Sequence, residues 1–201
     1  MEGDVQINQE IKNTDNMPKG IKKYAAGAWE LLKIIIIALI IVLPIRYYLF
    51  QPFIVKGESM IPNFQSGDYL IVDEISYRFS QPQRGDVIVL KYPLDQTQRF
   101  IKRIIGLPGE GVQVKDGKIT ILKDGKNLIL DETKYLPDLK STDGDKSWIL
   151  KDNEYFVLGD NRPYSYDSRR WGVLPKEDII GRALIRLFPI SSISYLPEPA
   201  Y

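Results

Sequence analysis

GVQVKDGKITILKDGKNLIL, residues 111–130, is the stretch that decides the fold. Apolar and polar residues alternate with period two through Val112, Val114, Ile119 and Ile121, the spacing of a strand with one face against a core. The alternation is broken twice by Asp-Gly-Lys, at Asp116 to Lys118 and Asp124 to Lys126. Both breaks predict tight hairpin turns in which Gly supplies the positive φ. Three consecutive antiparallel strands follow from this stretch alone. Working outward, YLIVDEI (69–75), DVIVLKY (86–92), RFIKRII (99–105) and EYFVLGD (154–160) read as further strands between Gly, Pro and Asp punctuation. LPKEDIIGRALIRLF (174–188) reads as a short turn or helix and one last strand, and Asp131 to Lys151 as a polar loop with turns or a short helix of no assigned place. The expected fold is mostly β, with antiparallel sheets forming one domain over residues 51–201.

Ahead of this domain the chain changes character. Met1 to about Gly20 is polar and charged, a composition that cannot cover the entropy of ordering itself, so residues 1–23 read as a disordered tail. Next comes IKKYAAGAWELLKIIIIALIIVLPIRYYLF, whose run from Ile34 to Ile45 carries no charge. It reaches the ~20 residues needed to cross ~30 Å of hydrocarbon when Leu31 and Leu32 are included, Lys33 snorkels, and Tyr47, Tyr48 and Phe50 sit at the far interface. A cleaved signal peptide, a buried core helix and an uncleaved anchor are all open readings. No small-x-small site follows the run, and it has no polar face. Both facts favour an uncleaved transmembrane anchor over residues 24–50. Lys19, Lys22 and Lys23 precede it, which puts the N-terminus in the cytoplasm and the β domain across the membrane in a single-pass topology.

Composition limits the chemistry. The chain of 201 residues has 27 Lys+Arg against 26 Asp+Glu, and this balance gives no argument for a nucleic-acid partner. It has no His and no Cys. Ser-His-Asp and Cys-His nucleophiles are thereby excluded, as are zinc sites built on imidazole or thiolate, and no metal or cofactor is called for. Any nucleophile must be a Ser or Thr activated by Lys, by a carboxylate or by an N-terminal amine.

Three segments carry residues suited to that chemistry. Ser59 lies in VKGESMIPNF, between Gly57 and Pro62, where neither strand nor helix can continue, so it is either presented on a bend or an ordinary loop serine. In RFIKRIIGLPGE, alternation puts Phe100, Lys102 and Ile104 on one face and Ile101, Arg103 and Ile105 on the other. Lys102 thus has apolar neighbours and is either a desolvated base or a lysine with a buried stem and an exposed tip, while Arg103 reads as the outward-facing charge. The third segment, FVLGDNRPYSYDSRRWG, crowds Asp160, Asn161, Arg162, Ser165, Asp167, Ser168, Arg169 and Arg170 together. By itself it reads as a solvated turn held by Asx and Arg-carboxylate contacts.

In this order the segments resemble the type I signal peptidase family of Ser-Lys endopeptidases. GESMIP is similar to the family's nucleophile box, GDYLIVDEI to the next, RGDVIVLKYP with FIKRIIGLPGE to the lysine box, and GDNRPYSYDSRRWG to the last, over about Phe50 to Phe188. Several boxes in the right order are far more specific than any one of them. The resemblance implies Ser59 as nucleophile, Lys102 as general base and Ser165 as the group that orients the lysine by a hydrogen bond. It also implies Asp167 and Arg169 as a structural ion pair, with Phe100 nearby. The implied oxyanion hole uses the backbone N–H of Ser59. Some relatives add a hydroxyl two residues earlier, where this chain has Gly57, so the second donor is left open. Asn63 stands where many relatives carry Thr.

The function implied is removal of signal peptides from secreted preproteins after small residues, at a lipid bilayer and through an acyl-enzyme. Thirteen residues separate Arg46 from Ser59, at most about 43 Å of extended chain, which keeps the nucleophile near the membrane. Two other readings are a self-cleaving Ser-Lys repressor, which needs a DNA-binding module, and an anchored β module without activity.

Overall fold

A computed structural model of the chain describes residues 19–44, 50–138 and 141–196. It divides into two compact units, residues 1–46 and 47–201.

Among its described residues the first unit is one helix, α1 (Lys19–Pro44). It begins inside the stretch expected to be tail: after Gly20, no Gly or Pro breaks Ile21 to Ala26, and its Lys and Ala residues are good helix formers. Residues 27–43 are exposed throughout. Lys33 does not reach along the axis alone, because its Nζ donates to Glu30 Oε1 at 2.7 Å, one turn back. Among the described residues no helix is long and apolar enough to cross a membrane. The tail before Lys19 and the aromatic flank Tyr47 and Tyr48 lie outside the described residues, as do the side chains of Lys19, Lys22, Lys23 and Phe50.

The second unit is built on two antiparallel sheets. The larger contains β1 (Phe50–Ile54), β2 (Tyr69–Asp73), β3 (Val87–Tyr92), β4 (Asp95–Gly106), β9 (Glu154–Leu158), β10 (Leu174–Pro175) and β11 (Ile179–Phe188), in the order β1-β2-β11-β3-β4-β9-β10, with the short β12 (Ser194–Tyr195) on β11. The smaller contains β5 (Gly111–Lys115), β6 (Lys118–Lys123), β7 (Lys126–Ile129) and β8 (Lys146–Ile149), in the order β7-β6-β5-β8. The mostly β, antiparallel expectation is met. Phe50, assigned to the anchor, is instead the first residue of β1.

In the smaller sheet, Val112, Val114, Ile119 and Ile121 are all buried, as their alternation requires. Both hairpin turns are tighter than expected, since positive φ is shared by two residues: Asp116 at 50° with Gly117 at 76°, and Asp124 at 50° with Gly125 at 72°. Two consecutive positive φ values match the right-handed twist of the flanking strands. β8 falls inside the expected loop. Its residues are mostly exposed, so it shows no clean alternation, yet it pairs with β5 from Gly111↔Ile149 to Val114↔Lys146.

The larger sheet has both faces covered at its centre. β3 is buried at Val87, Ile88, Val89 and Leu90, the near-continuous apolar run of a strand enclosed on two sides. β4 feeds three separate clusters: Ile101 packs with Val55, Met60 and Phe64, Ile104 with Ile88 and Tyr155, and Ile105 with Val112 and Phe156. Each fully buried Ile contributes roughly 1.5–3 kcal/mol. A register shift between Ile104 and Gly106 allows the last change of side, and a Cβ at Gly106 would collide with Val112 Cγ2. The second half of β4, from Ile101 to Gly106, is thus buried throughout, and Lys102 lies within it.

Candidate active site

Ser59 sits in the loop between β1 and β2. On either side of it Val55, Met60 and Phe64 are buried in the cluster around Ile101, so the loop is pinned by apolar side chains while Ser59 stays half-exposed. Gly57 adopts φ +88°, a left-handed conformation costly for other residues. Behind the serine, Asn161 N donates to Ser59 O at 3.0 Å and Asn161 Nδ2 donates to Glu58 O at 3.0 Å. Ser59 is thus held on a braced bend rather than in an ordinary loop.

Lys102 is 3 % exposed. Its Nζ donates to Ser59 Oγ at 2.7 Å and to Ile101 O at 3.0 Å, and lies 5.3 Å from the centroid of the Phe100 ring. The tip is therefore not in solvent. Burial pushes its pKa down to about 8, with the charges of Asp167 and Asp160 acting in the opposite direction. Near neutral pH a useful fraction of this amine is uncharged.

Arg103 is not the outward-facing charge. It is 6 % exposed, because the second face of this central strand is covered as well. Its Nε donates to Asp160 Oδ1 at 2.8 Å, Nη2 to Asp160 Oδ2 at 2.6 Å, and Nη1 to Gly85 O at 2.9 Å. A buried guanidinium is tolerable only when paired and hydrogen-bonded in this way.

The third segment is not a solvated turn. Asp160, Arg162, Ser165, Asp167 and Ser168 are all buried. Asp167 receives Arg169 through Nε at 2.8 Å and Nη2 at 2.9 Å, a two-pronged pair, and also accepts from Gly159 N at 3.1 Å. Arg162 spans the interior to Glu132 Oε1 at 2.7 Å and Oε2 at 2.8 Å, and to Thr142 Oγ1 at 2.6 Å. These contacts give the chain its turn behind the Ser59 loop.

One expected contact is not made. Ser165 is buried beside the Ser59 loop, but among the described residues its Oγ has no hydrogen-bond partner. Lys102 Nζ donates to Ser59 Oγ and Ile101 O instead. Ser165 is nevertheless close by. A Cβ on Gly159 would overlap both Ser165 Oγ and Ser59 O, so the two serines converge on a position only glycine can occupy. Sequence reasoning missed Gly159, as it missed the partner of Arg103. The run Gly-Asp-Asn after a strand was the available signal.

In front of the pair is a cavity of about 430 Å³ between Phe53, Ile54 and Lys56 on one side and Thr97–Phe100 on the other, also lined by Ser59 and Lys102. β9 pairs with β4 only from Arg103 to Gly106, and β1 pairs with β2 on one side. The cavity therefore lies between two stretches of extended backbone, a setting that suits an extended peptide. Among the described residues no group of three or more Asp, Glu, His or Cys is arranged to hold a metal ion.

Comparison with known proteins gives consistent matches. The family model for signal peptidase, peptidase S26, matches residues 28–188. The chain is 38% identical over 179 residues to a probable signal peptidase I-1 of Synechocystis sp., covering 81% of this chain and 86% of that one. It is 38% identical to a signal peptidase I of Leptolyngbya laminosa, with 86% of each chain covered. It is 36% identical to signal peptidase I P of Bacillus subtilis subsp. natto, covering 87% of this chain and 96% of the relative.

Proposed function

Because the chain belongs to the signal peptidase family, peptidase S26, and is thus a signal peptidase, we propose that it cleaves preproteins with Ser59 as nucleophile and Lys102 as general base. The observation that carries this reading is the 2.7 Å contact between Lys102 Nζ and Ser59 Oγ, within reach for direct proton transfer.

In the reactive state Lys102 is neutral. It takes the Ser59 proton as Oγ attacks the scissile carbonyl, and the resulting ammonium returns that proton to the leaving amine. Water, activated by the same lysine, then releases the acyl group. The Ser59 backbone N–H is one oxyanion donor in this reading. Gly57 supplies no hydroxyl, so a second donor is not assigned. Asp167 and Arg169 support the site by holding Gly159 N against the turn.

The substrate in this reading is a secreted preprotein with small residues at the first and third positions before the cut. It lies extended in the cavity between Phe53, Ile54 and Lys56 and the facing Thr97–Phe100. The apolar segment that begins in α1 anchors the enzyme in a lipid bilayer, with the N-terminus in the cytoplasm and the β unit across the membrane. The all-round apolarity from Ile34 to Leu43 supports this. A substrate held by its own hydrophobic segment then presents its scissile bond in the same layer, raising its effective concentration.

The test is cleavage of a model preprotein by the membrane form. Ser59→Ala and Lys102→Ala are expected to lower kcat by at least about 10²–10⁴-fold. Full activity in either variant overturns the assignment.

A further inference from the structure

Lys102 and Arg103 occupy opposite faces of β4, and a second group of side chains acts on the strand from the Arg103 side. Asn63, four residues after the nucleophile, uses both amide hydrogens: Nδ2 donates to Asp160 Oδ2 at 2.8 Å and to Tyr135 O at 3.0 Å. Asp160 in turn holds the Arg103 guanidinium by two prongs. The guanidinium carbon lies 4.1 Å from the centroid of the Tyr135 ring, so Arg103 is stacked as well as paired. Tyr135 is fixed from behind, because its hydroxyl donates to Glu132, the carboxylate that pairs with the buried Arg162.

These contacts close a circuit. It leaves the Ser59 loop at Asn63, passes through Tyr135 and Asp160, and enters β4 at Arg103, the residue next to the base. A threonine at position 63 has a single hydroxyl hydrogen and can donate to only one of the two acceptors that Asn63 serves. The carboxamide therefore couples the nucleophile loop to the 131–138 segment in a way one hydroxyl donor cannot. We infer that Asn63 and Tyr135 are positioning residues that set the approach of Ser59 to Lys102 by clamping Asp160 and Arg103 between them.

The inference rests on the Ser59 and Lys102 reading and adds to it. A misplacement of about 1 Å at such a pair costs up to about 10²-fold in rate. The two carboxylates that face Lys102 are Asp160, paired with Arg103, and Asp167, paired with Arg169. When the clamp is loosened, Arg103 neutralises Asp160 less completely, and the ammonium form of Lys102 is favoured.

The experiment measures kcat, KM and the pH dependence of preprotein cleavage by the full chain, well below the melting midpoint of each variant. Asn63→Ala and Tyr135→Leu are expected to lower kcat about tenfold with KM within about twofold, and to move the rising limb of the profile to higher pH. Tyr135→Phe, which keeps the ring, should restore kcat. If Tyr135→Leu or Asn63→Ala fails to fold, Asn63→Thr carries the test with one donor retained, and its kcat should fall while its limb moves the same way. Unchanged kcat and an unmoved limb, with only the melting temperature lowered, overturn the inference. Ser59→Ala serves as the reference: activity there removes the underlying reading, whereas inactivity there with unaltered clamp variants removes the clamp alone.

Discussion

Lys102 Nζ lies 2.7 Å from Ser59 Oγ although the two residues are 43 apart in the chain. Two unrelated devices produce this closeness. The serine loop is pinned by Met60 and Phe64 in the cluster around Ile101, and the lysine stands on the central strand next to that same Ile101. One apolar cluster therefore fixes both partners, and it does so without any ion pair between them.

The first prediction concerns pH. Burial lowers the Lys102 pKa to about 8 from an ordinary value of 10.5, a bias of about 3 kcal/mol against the ammonium. As the proposed base Lys102 acts when neutral, so kcat/KM should rise with pH and level off above about 8. A profile of cleavage rate against pH measures this directly, and a limb still rising toward 10.5 shows an undepressed lysine. The same shift affects stability. The unfolded chain binds a proton on Lys102 between about 8 and 10.5 that the folded chain does not, so this group's contribution to stability grows as pH rises through that window.

A second prediction follows from Gly159. An added methyl would overlap Ser59 O and Ser165 Oγ. The Ser165 hydroxyl can rotate away, but Ser165 Cβ cannot, and the Ser59 carbonyl is backbone and must move with Ser59. Gly159→Ala should lower kcat by about 10²-fold while KM changes little. Steady-state kinetics on folded protein checks it, and wild-type kcat would show that the loop yields freely.

Strand content was legible because β5 and β6 each have one face on a core and the other toward solvent. Gly57 and Pro62 bracket Ser59, and alternation gave Lys102 Phe100 and Ile104 as neighbours, but these patterns left a loop serine and an exposed-tip lysine open; the resemblance of the segments to the signal peptidase boxes singled the two residues out. Arg103 was misread for a physical reason: alternation distinguishes two faces but does not say that both are covered, as they are on β4. β8 escaped because an exposed strand of Lys, Ser, Trp and Ile carries no periodic signal. The roles of Asn63 and Tyr135 depend on contacts across 72 and 97 positions of sequence, which no local pattern encodes.

The buried pair of Arg103 and Asp160 gives a third prediction. Asp160→Asn leaves the guanidinium without its counter-charge in the interior, which should destabilise the β unit by about 3–5 kcal/mol. It also removes one of the two negative charges that favour the Lys102 ammonium. Chemical denaturation should show the loss of stability, and the activity that remains should have its rising limb at lower pH than wild type. A limb displaced upward contradicts the assigned direction of the Asp160 field.

Ser165 separates stability from activity most sharply. The residue is 4 % exposed and its hydroxyl has no hydrogen-bond partner among the described residues, a condition that costs about 1–3 kcal/mol. Proteins retain such groups where a function uses them. The role that the family resemblance implies for Ser165, orienting Lys102, would use this hydroxyl once the amine leaves Ser59 Oγ. Ser165→Ala removes the unpaired oxygen and leaves a methyl of nearly the same shape, so the melting temperature should hold or rise. The lysine then loses its alternative partner, and kcat should fall by about 10-fold to 10²-fold with KM near wild type. Thermal melts and steady-state kinetics on one preparation decide between the roles. A lowered melting temperature with unchanged kcat would mean that the Ser165 hydroxyl serves the fold and takes no part in the cycle.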